Sequence, residues 1–314
     1  MKENLELSVI IPITEKNRQY NVEELHYLYK KNVERTKKTY EFIYVLDGNF
    51  PEEFQVLQDL KKKGECLKIL KLAKWFGESI ALSAGFENSD GKLILTLPAY
   101  PQIDEEEIPK IINAVNGHDM IIARRWPRMD GFINKVQNQA FHRLVKITTG
   151  TNFNDLGSGV RIFRRQVGEE VQIYGDQHRF FPLLAKRYGF KVAEINVRQS
   201  PKDAFSRVYS FGIYLRRMLD LLTVFFLIKF TKKPLRFFGL SGVTVFLIGA
   251  FLSFYLFIQR MFFHVPLADR PIILLALLLI VLGIQIFAIG LIGEIIIFTH
   301  ARELKEYTIE QVVN

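Results

Sequence analysis

The chain has 314 residues, a formal net charge of +9 and one cysteine, Cys66. A lone cysteine excludes an internal disulfide framework and fits a reducing compartment, while the length leaves room for one large domain and something smaller. The cationic surplus points to an anionic partner, which composition leaves open as nucleic acid, membrane surface or phosphorylated substrate.

Lys2 is followed by Glu3 and Glu6, and the first apolar run, Ser8–Ile13, is too short for a signal-peptide core, so no leader is expected. Short runs rich in Val, Ile and Leu recur at Leu7–Ile13, Tyr40–Leu46, Leu67–Leu72, Leu93–Leu97 and Met120–Ala123. Between them lie amphipathic stretches at Val22–Lys38, Glu52–Lys63, Glu78–Glu87 and Glu105–Asn116. That alternation predicts βα units and an α/β fold with a mostly parallel sheet. Leu93–Leu97 follows the turn signal Ser89-Asp90-Gly91 and stops at Pro98, which reads as a strand buried on both faces. Ligands of open α/β sheets lie beyond the carboxyl ends of strands, so Pro98-Ala99-Tyr100-Pro101-Gln102 is expected at the site. The acidic run Asp104–Glu107 reads as a capped helix start rather than a metal site. Asn134–Gly150 reads as an amphipathic helix, Gly157–Phe163 as a loop entering a strand, and Lys191–Val197 as a further strand.

Phe237–Ile258 and Pro271–Gly293 carry no charged residue over 22 and 23 positions. The shorter would be about 33 Å long as a helix, enough for a hydrocarbon core of roughly 30 Å. A membrane hairpin is expected. Lys229, Lys232, Lys233 and Arg236 precede it and Arg302 and Lys305 follow it, which places the N-terminal region and the tail in the cytoplasm by the positive-inside rule. Tyr209–Phe230 mixes apolar residues with Arg216, Arg217, Asp220 and Lys229, the composition of an interfacial segment. The expected parts are residues 1–200, an α/β domain; 201–234, a loop and interfacial helices; 235–298, two transmembrane helices; and 299–314, a tail.

Several segments carry a resemblance. They are Ser8–Ile13 with Thr14-Glu15-Lys16, Leu46-Asp47-Gly48-Asn49, Lys74-Trp75-Phe76-Gly77-Glu78-Ser79, Pro98–Gln102 and Ala123-Arg124-Arg125. Further along come Asn154–Arg165, Gln177-His178-Arg179-Phe180-Phe181-Pro182, Lys202–Ser210, Lys233–Gly239 and Gly290-Leu291-Ile292-Gly293-Glu294. Over nearly the whole chain these resemble family 2 glycosyltransferases of the dolichol-phosphate-mannose synthase-like, polyprenyl-phosphate branch. The resemblance implies a glycosyltransferase-A fold, a nucleotide-sugar donor, a polyprenyl phosphate acceptor in an inner-membrane bilayer, and inverting transfer; it allows a homo-oligomer. Carried over residue by residue, it implies nucleotide-binding roles for Pro12, Glu15, Asp47, Gly48, Gly77, Pro98 and Tyr100. It implies catalytic roles for Asp155, Arg161, Arg125 and Gln102, and acceptor-phosphate roles for Arg179, Lys202, Arg207 and Tyr209.

The family's strand-end Asp-x-Asp-x-Gln holds Mg2+ or Mn2+ on the leaving diphosphate. Here Pro98, Tyr100 and Gln102 stand at those places. A pyrrolidine offers no ligand, and a neutral phenol is a poor partner for a hard cation. Three readings stay open: arginines or lysines replace the ion, other oxygens such as those of Gln102 or Asp155 hold it, or the protein binds without catalysing. A nucleic-acid protein fits the charge but not the membrane hairpin.

Overall fold

The computed structural model describes residues 5–15, 20–128, 146, 153–171, 177–204, 219, 234–263 and 271–300. The predicted elements at Asn134–Gly150 and Tyr209–Phe230 lie outside these, apart from Lys146 and Leu219, as do Arg207 and Tyr209. The chain divides into two compact units, Met1–Leu221 with Tyr307–Asn314, and Leu222–Glu306.

The first unit alternates strand and helix as its apolar pattern dictates: β1 (Leu7–Ile13), α1 (Val22–Glu34), β2 (Tyr40–Leu46), α2 (Pro51–Lys62), β3 (Leu67–Lys71), α3 (Glu78–Glu87) and β4 (Leu93–Thr96). A 3-10 turn at Glu105–Glu107 leads into α4 (Ile108–Asn113), followed by β5 (Met120–Arg125), β6 (Arg161–Arg164), α5 (Arg165–Glu170), a 3-10 turn at Gln177–Phe180, α6 (Phe181–Arg187), β7 (Val192–Val197) and α7 (Pro201–Ala204). Helix starts follow local chemistry. Asn21 accepts the amides of Glu23 and Glu24 ahead of α1, Pro51 opens α2, and Asp104 accepts the amide of Glu106, as expected of the acidic run.

The seven strands form one sheet in the order β3-β2-β1-β4-β6-β5-β7. All neighbours pair parallel except β6, which runs antiparallel to both β4 and β5. Side-chain alternation sends Val9, Ile11, Leu95 and Ile121 to one face, against Leu25 and Tyr29 of α1, Leu57 of α2 and Ile111 of α4. Ile10, Ile43, Val45, Ile94 and Met120 meet Ala81 of α3, Val167 of α5 and Leu184 of α6 on the other. The central strands are buried on both faces, which explains their almost unbroken apolar runs.

The second unit contains α8 (Pro234–Phe263) and α9 (Pro271–His300), both long and apolar enough to cross a membrane. Only 17% and 11% of their apolar windows are buried, unlike core helices of a soluble protein. Gly242 and Gly283 let the two backbones touch: a Cβ on either would meet the carbonyl oxygen of the other at 2.7 Å. The Glu294 carboxylate accepts the amide of Leu235 at 3.3 Å, supplying one of the partners the first turn of α8 lacks.

Candidate active site

Strand ends of the first unit converge on one edge of the sheet. At the end of β1, Pro12 is buried and Glu15 exposed. The Asp47 amide donates to the Ile13 carbonyl at 2.9 Å, setting the ends of β1 and β2 side by side. Asp47 itself is fully buried. Its carboxylate accepts the Phe76 amide at 2.7 Å and the Gly77 amide at 2.9 Å. Gly77 sits at φ 102°, a conformation that favours glycine, and immediately precedes α3. Asp47 therefore fastens the loop before α3 to the end of β2, and Gly48 follows it half-buried.

Beyond β4 the chain is clamped from below. The buried Tyr29 hydroxyl lies 3.0 Å from both the Pro98 and Tyr100 carbonyls, shared between two acceptors. The Tyr100 ring stacks on Tyr20 with centroids 6.1 Å apart. Gln102 donates through Nε2 to the Tyr100 hydroxyl at 2.9 Å and accepts the Gly159 amide at 2.7 Å. The metal-motif positions thus form a hydrogen-bonded brace between β4 and the loop entering β6.

The residues present do not fit a hard divalent cation. Pro98 has no donor atom, and the Tyr100 hydroxyl and Gln102 oxygen already accept hydrogen bonds. Among the described residues no group of three His, Cys, Asp or Glu side chains is placed to hold a metal.

Arg125, at the end of β5, is buried and committed. It gives Nε and Nη2 to the two Asp155 oxygens at 2.8 and 2.7 Å, its own amide to Asp155 at 3.1 Å, and Nη1 to Asp203 at 2.9 Å. Burial alone would raise the Asp155 pKa, but Arg125 overrides it and holds the group down to about 2. Burial opposes the Arg125 charge as well, and Asp155 and Asp203 outweigh it. Glu194 of β7 secures the same loop by accepting the amides of Asn154 and Asp155 at 2.8 and 3.0 Å.

Arg161, at the start of β6, is different. It is buried and, among the described residues, forms no ion pair and donates to the carbonyls of His178 and Leu156. Its Nε has no hydrogen-bond partner among the described residues. Burial lowers its pKa to about 10, with Glu78 and Asp155 acting only at longer range, so it stays cationic at neutral pH. His178 is hooked to α3: the Ser79 hydroxyl lies 3.0 Å from His178 Nδ1 and accepts the His178 amide at 3.2 Å, while Glu78 lies 3.5 Å from Nε2. Arg161, His178 and Glu78 line a cavity of about 530 Å³ together with Pro12, Pro98, Gly159 and the apolar side chains of Ile80, Phe86 and Phe181.

The structure thus brings together Pro12, Pro98 and Arg161 at the cavity. It uses Asp47, Gln102, Tyr100, Arg125 and Asp155 as framework around it. Lys202 is exposed beyond β7, and Arg179 is half-buried beside His178. Sequence reading gave no role to Ser79, Tyr29, Glu194 or Asp203, whose bonds to His178, Pro98, Asp155 and Arg125 span 39 to 99 residues and leave no local signal.

Residues 8–171 match the model of "Glycosyl transferase family 2". The chain belongs to that family. It is a glycosyltransferase, as the sequence resemblance implied. The transferase from Enterobacter sp. strain 638 named undecaprenyl-phosphate 4-deoxy-4-formamido-L-arabinose transferase is 32% identical, over 98% of this chain and 94% of its own length. The protein of the same name from Proteus mirabilis is 30% identical over the same shares. Glucosyl-3-phosphoglycerate synthase from Mycobacterium tuberculosis, solved with Mn2+, UDP and phosphoglyceric acid, superposes with a TM-score of 0.52 over 71% of this chain and 79% of that one, at 12% identity. That likeness shows the glycosyltransferase-A fold.

Proposed function

We propose that this family 2 glycosyltransferase moves a sugar from a nucleotide-sugar to a polyprenyl phosphate at the cytoplasmic face of an inner membrane. The observation that carries the chemistry is Arg161, a buried guanidinium balanced by carbonyls rather than a carboxylate and bordering the cavity. Full-length similarity to undecaprenyl-phosphate sugar transferases supports the acceptor class, and α8 and α9 supply the membrane anchor.

An acceptor phosphate monoester has its second pKa near 6 and is largely dianionic at neutral pH, so no base need remove a proton. Its oxygen attacks the anomeric carbon from the face opposite the diphosphate. The bond from that carbon to the diphosphate oxygen breaks, the electron pair leaves with the diphosphate, and the anomeric configuration inverts. Negative charge collects on the leaving group, and a fixed guanidinium beside the apolar walls of the cavity favours that distribution. Arg161 fills this role in place of a divalent ion, while Arg125, neutralised by two aspartates, positions the Asp155 loop. Asp47 and Gly77 shape the donor half, and Lys202 with Arg179 adds cationic character on the acceptor side. Pro98 and Tyr100 offer a divalent ion no carboxylate at the diphosphate.

The test is transfer of radiolabel to undecaprenyl phosphate in nanodiscs from a panel of sugar nucleotides, with Mn2+ or with excess EDTA. Lipid-linked label that survives EDTA is expected, and R161Q should reduce kcat by about 100-fold or more. Label abolished by EDTA would sink the arginine assignment. No label from any donor to folded protein would sink the transfer reading.

A further inference from the structure

The loop between β3 and α3 presents two large aromatic side chains that the reaction described above does not use. Trp75 is 62% exposed and Phe76 42%. Phe76 carries the Lys74 ammonium 5.3 Å from its ring centre, and Trp126, the other tryptophan, carries the Arg124 guanidinium at 4.9 Å. Among the described residues the Trp75 indole has no ring or cation partner. An unstacked indole in water leaves a large flat apolar face to be covered by something else.

Its position says what. The Asp47 carboxylate takes the Phe76 and Gly77 amides, so the loop is fixed at the carboxyl end of β2. A Cβ built on Gly48 would lie 3.9 Å from the Trp75 Cβ, which roots the indole directly beside the β2 strand end. One strand over lies Thr14, which is buried. Ile13 pairs with Leu46 in the parallel register, so Thr14 and Asp47 stand next to each other. A flat apolar face rooted at adjacent strand ends matches a ligand that is planar and aromatic.

We propose that Trp75 is the stacking platform for the nucleobase of the donor, at the ends of β1 and β2. The inference rests on the nucleotide-sugar reading and adds to it the residue that grips the base. Stacking reads only the π-face, so the platform tolerates uracil, cytosine, thymine and guanine alike, and the choice of base falls to edge contacts. A tryptophan flanked by Lys74 and Phe76 also has the composition of a membrane-surface contact, but its anchorage at a strand end, where this sheet class binds ligand, favours the nucleotide.

The experiment uses the full chain in phosphatidylcholine–phosphatidylglycerol nanodiscs. In the W126F background Trp75 is the sole tryptophan, since the chain has two. Titration with UDP, CDP, dTDP and GDP should quench Trp75 fluorescence saturably, at concentrations matching calorimetric binding to the wild type. W75A should weaken nucleotide binding by about ten-fold or more and raise the donor KM with little change in kcat, and W75F should restore most of the affinity. Calorimetric binding with an unchanged Trp75 signal and an unchanged W75A affinity would overturn the platform and leave the donor reading standing. No calorimetric binding of any nucleotide would overturn both. Quenching of Trp75 by brominated lipid, insensitive to nucleotide, would assign the indole to the bilayer and overturn the proposal.

Discussion

Asp155 is lodged against three N–H groups of one residue, Arg125, at 2.7 to 3.1 Å. The pair is buried, so its protonation is tied to folding. The folded value of about 2 lies below the ordinary 3.8, so the stabilisation is fully present above about pH 4 and is lost as pH falls through 2. It amounts to roughly 2 kcal/mol at neutral pH. D155N should unfold at lower temperature at pH 7 and lose this part of the acid dependence, read by fluorescence melting in detergent. Parallel acid curves for the two proteins would refute the assignment.

Asp47 is expected to matter through backbone it never leaves. D47A frees the Phe76 and Gly77 amides. Bonds to a charged acceptor contribute about 1.5–3 kcal/mol each, so nucleotide affinity should fall by about ten-fold or more as the loop loosens. Calorimetric titration of the variant with UDP or GDP checks this, and an unaltered Kd would argue against the fastening role.

Ser79 and His178 bind α3 to the turn ahead of α6. S79A removes both bonds in a buried setting. A loss of about 1–3 kcal/mol in stability is expected, with S79T recovering part of it. Denaturant melts of the three proteins decide the matter; equal midpoints would show the bonds to be idle.

The two long helices meet at glycine. G283A would put a methyl 2.5 Å from the Phe246 amide nitrogen, and G242A one 2.6 Å from that of Phe287. Backbone cannot step aside as a side chain can, so both variants should force α8 and α9 apart and lower the thermal midpoint in detergent. Substitution at Leu240, which is 72% exposed, should leave it unchanged.

Local pattern carried much of the fold. α3 spans Glu78–Glu87 as its amphipathic run predicted, whereas α1 stops at Glu34, short of the expected Lys38, because Lys37 turns to φ 57°. The Glu105–Asn116 stretch is a 3-10 turn and a short helix rather than one helix, ending before Gly117 at φ 84°. The reversal of β6 was not legible, since a strand's direction is set by its distant partners and not by its own alternation. At the site, Arg125 and Arg161 were marked by motif alike. Only their partners separate them: two carboxylates for one and two carbonyls for the other.

Asp203 lies past the last strand, yet it holds Arg125 across 78 residues and accepts Gln199 Nε2 at 2.8 Å. Where the sheet ends is therefore not where the folded module ends. A chimera that grafts this module onto another apolar helical hairpin has its seam after residue 204. One joined at 200 would import a foreign residue opposite a buried guanidinium, and should aggregate unless that residue is again an acid.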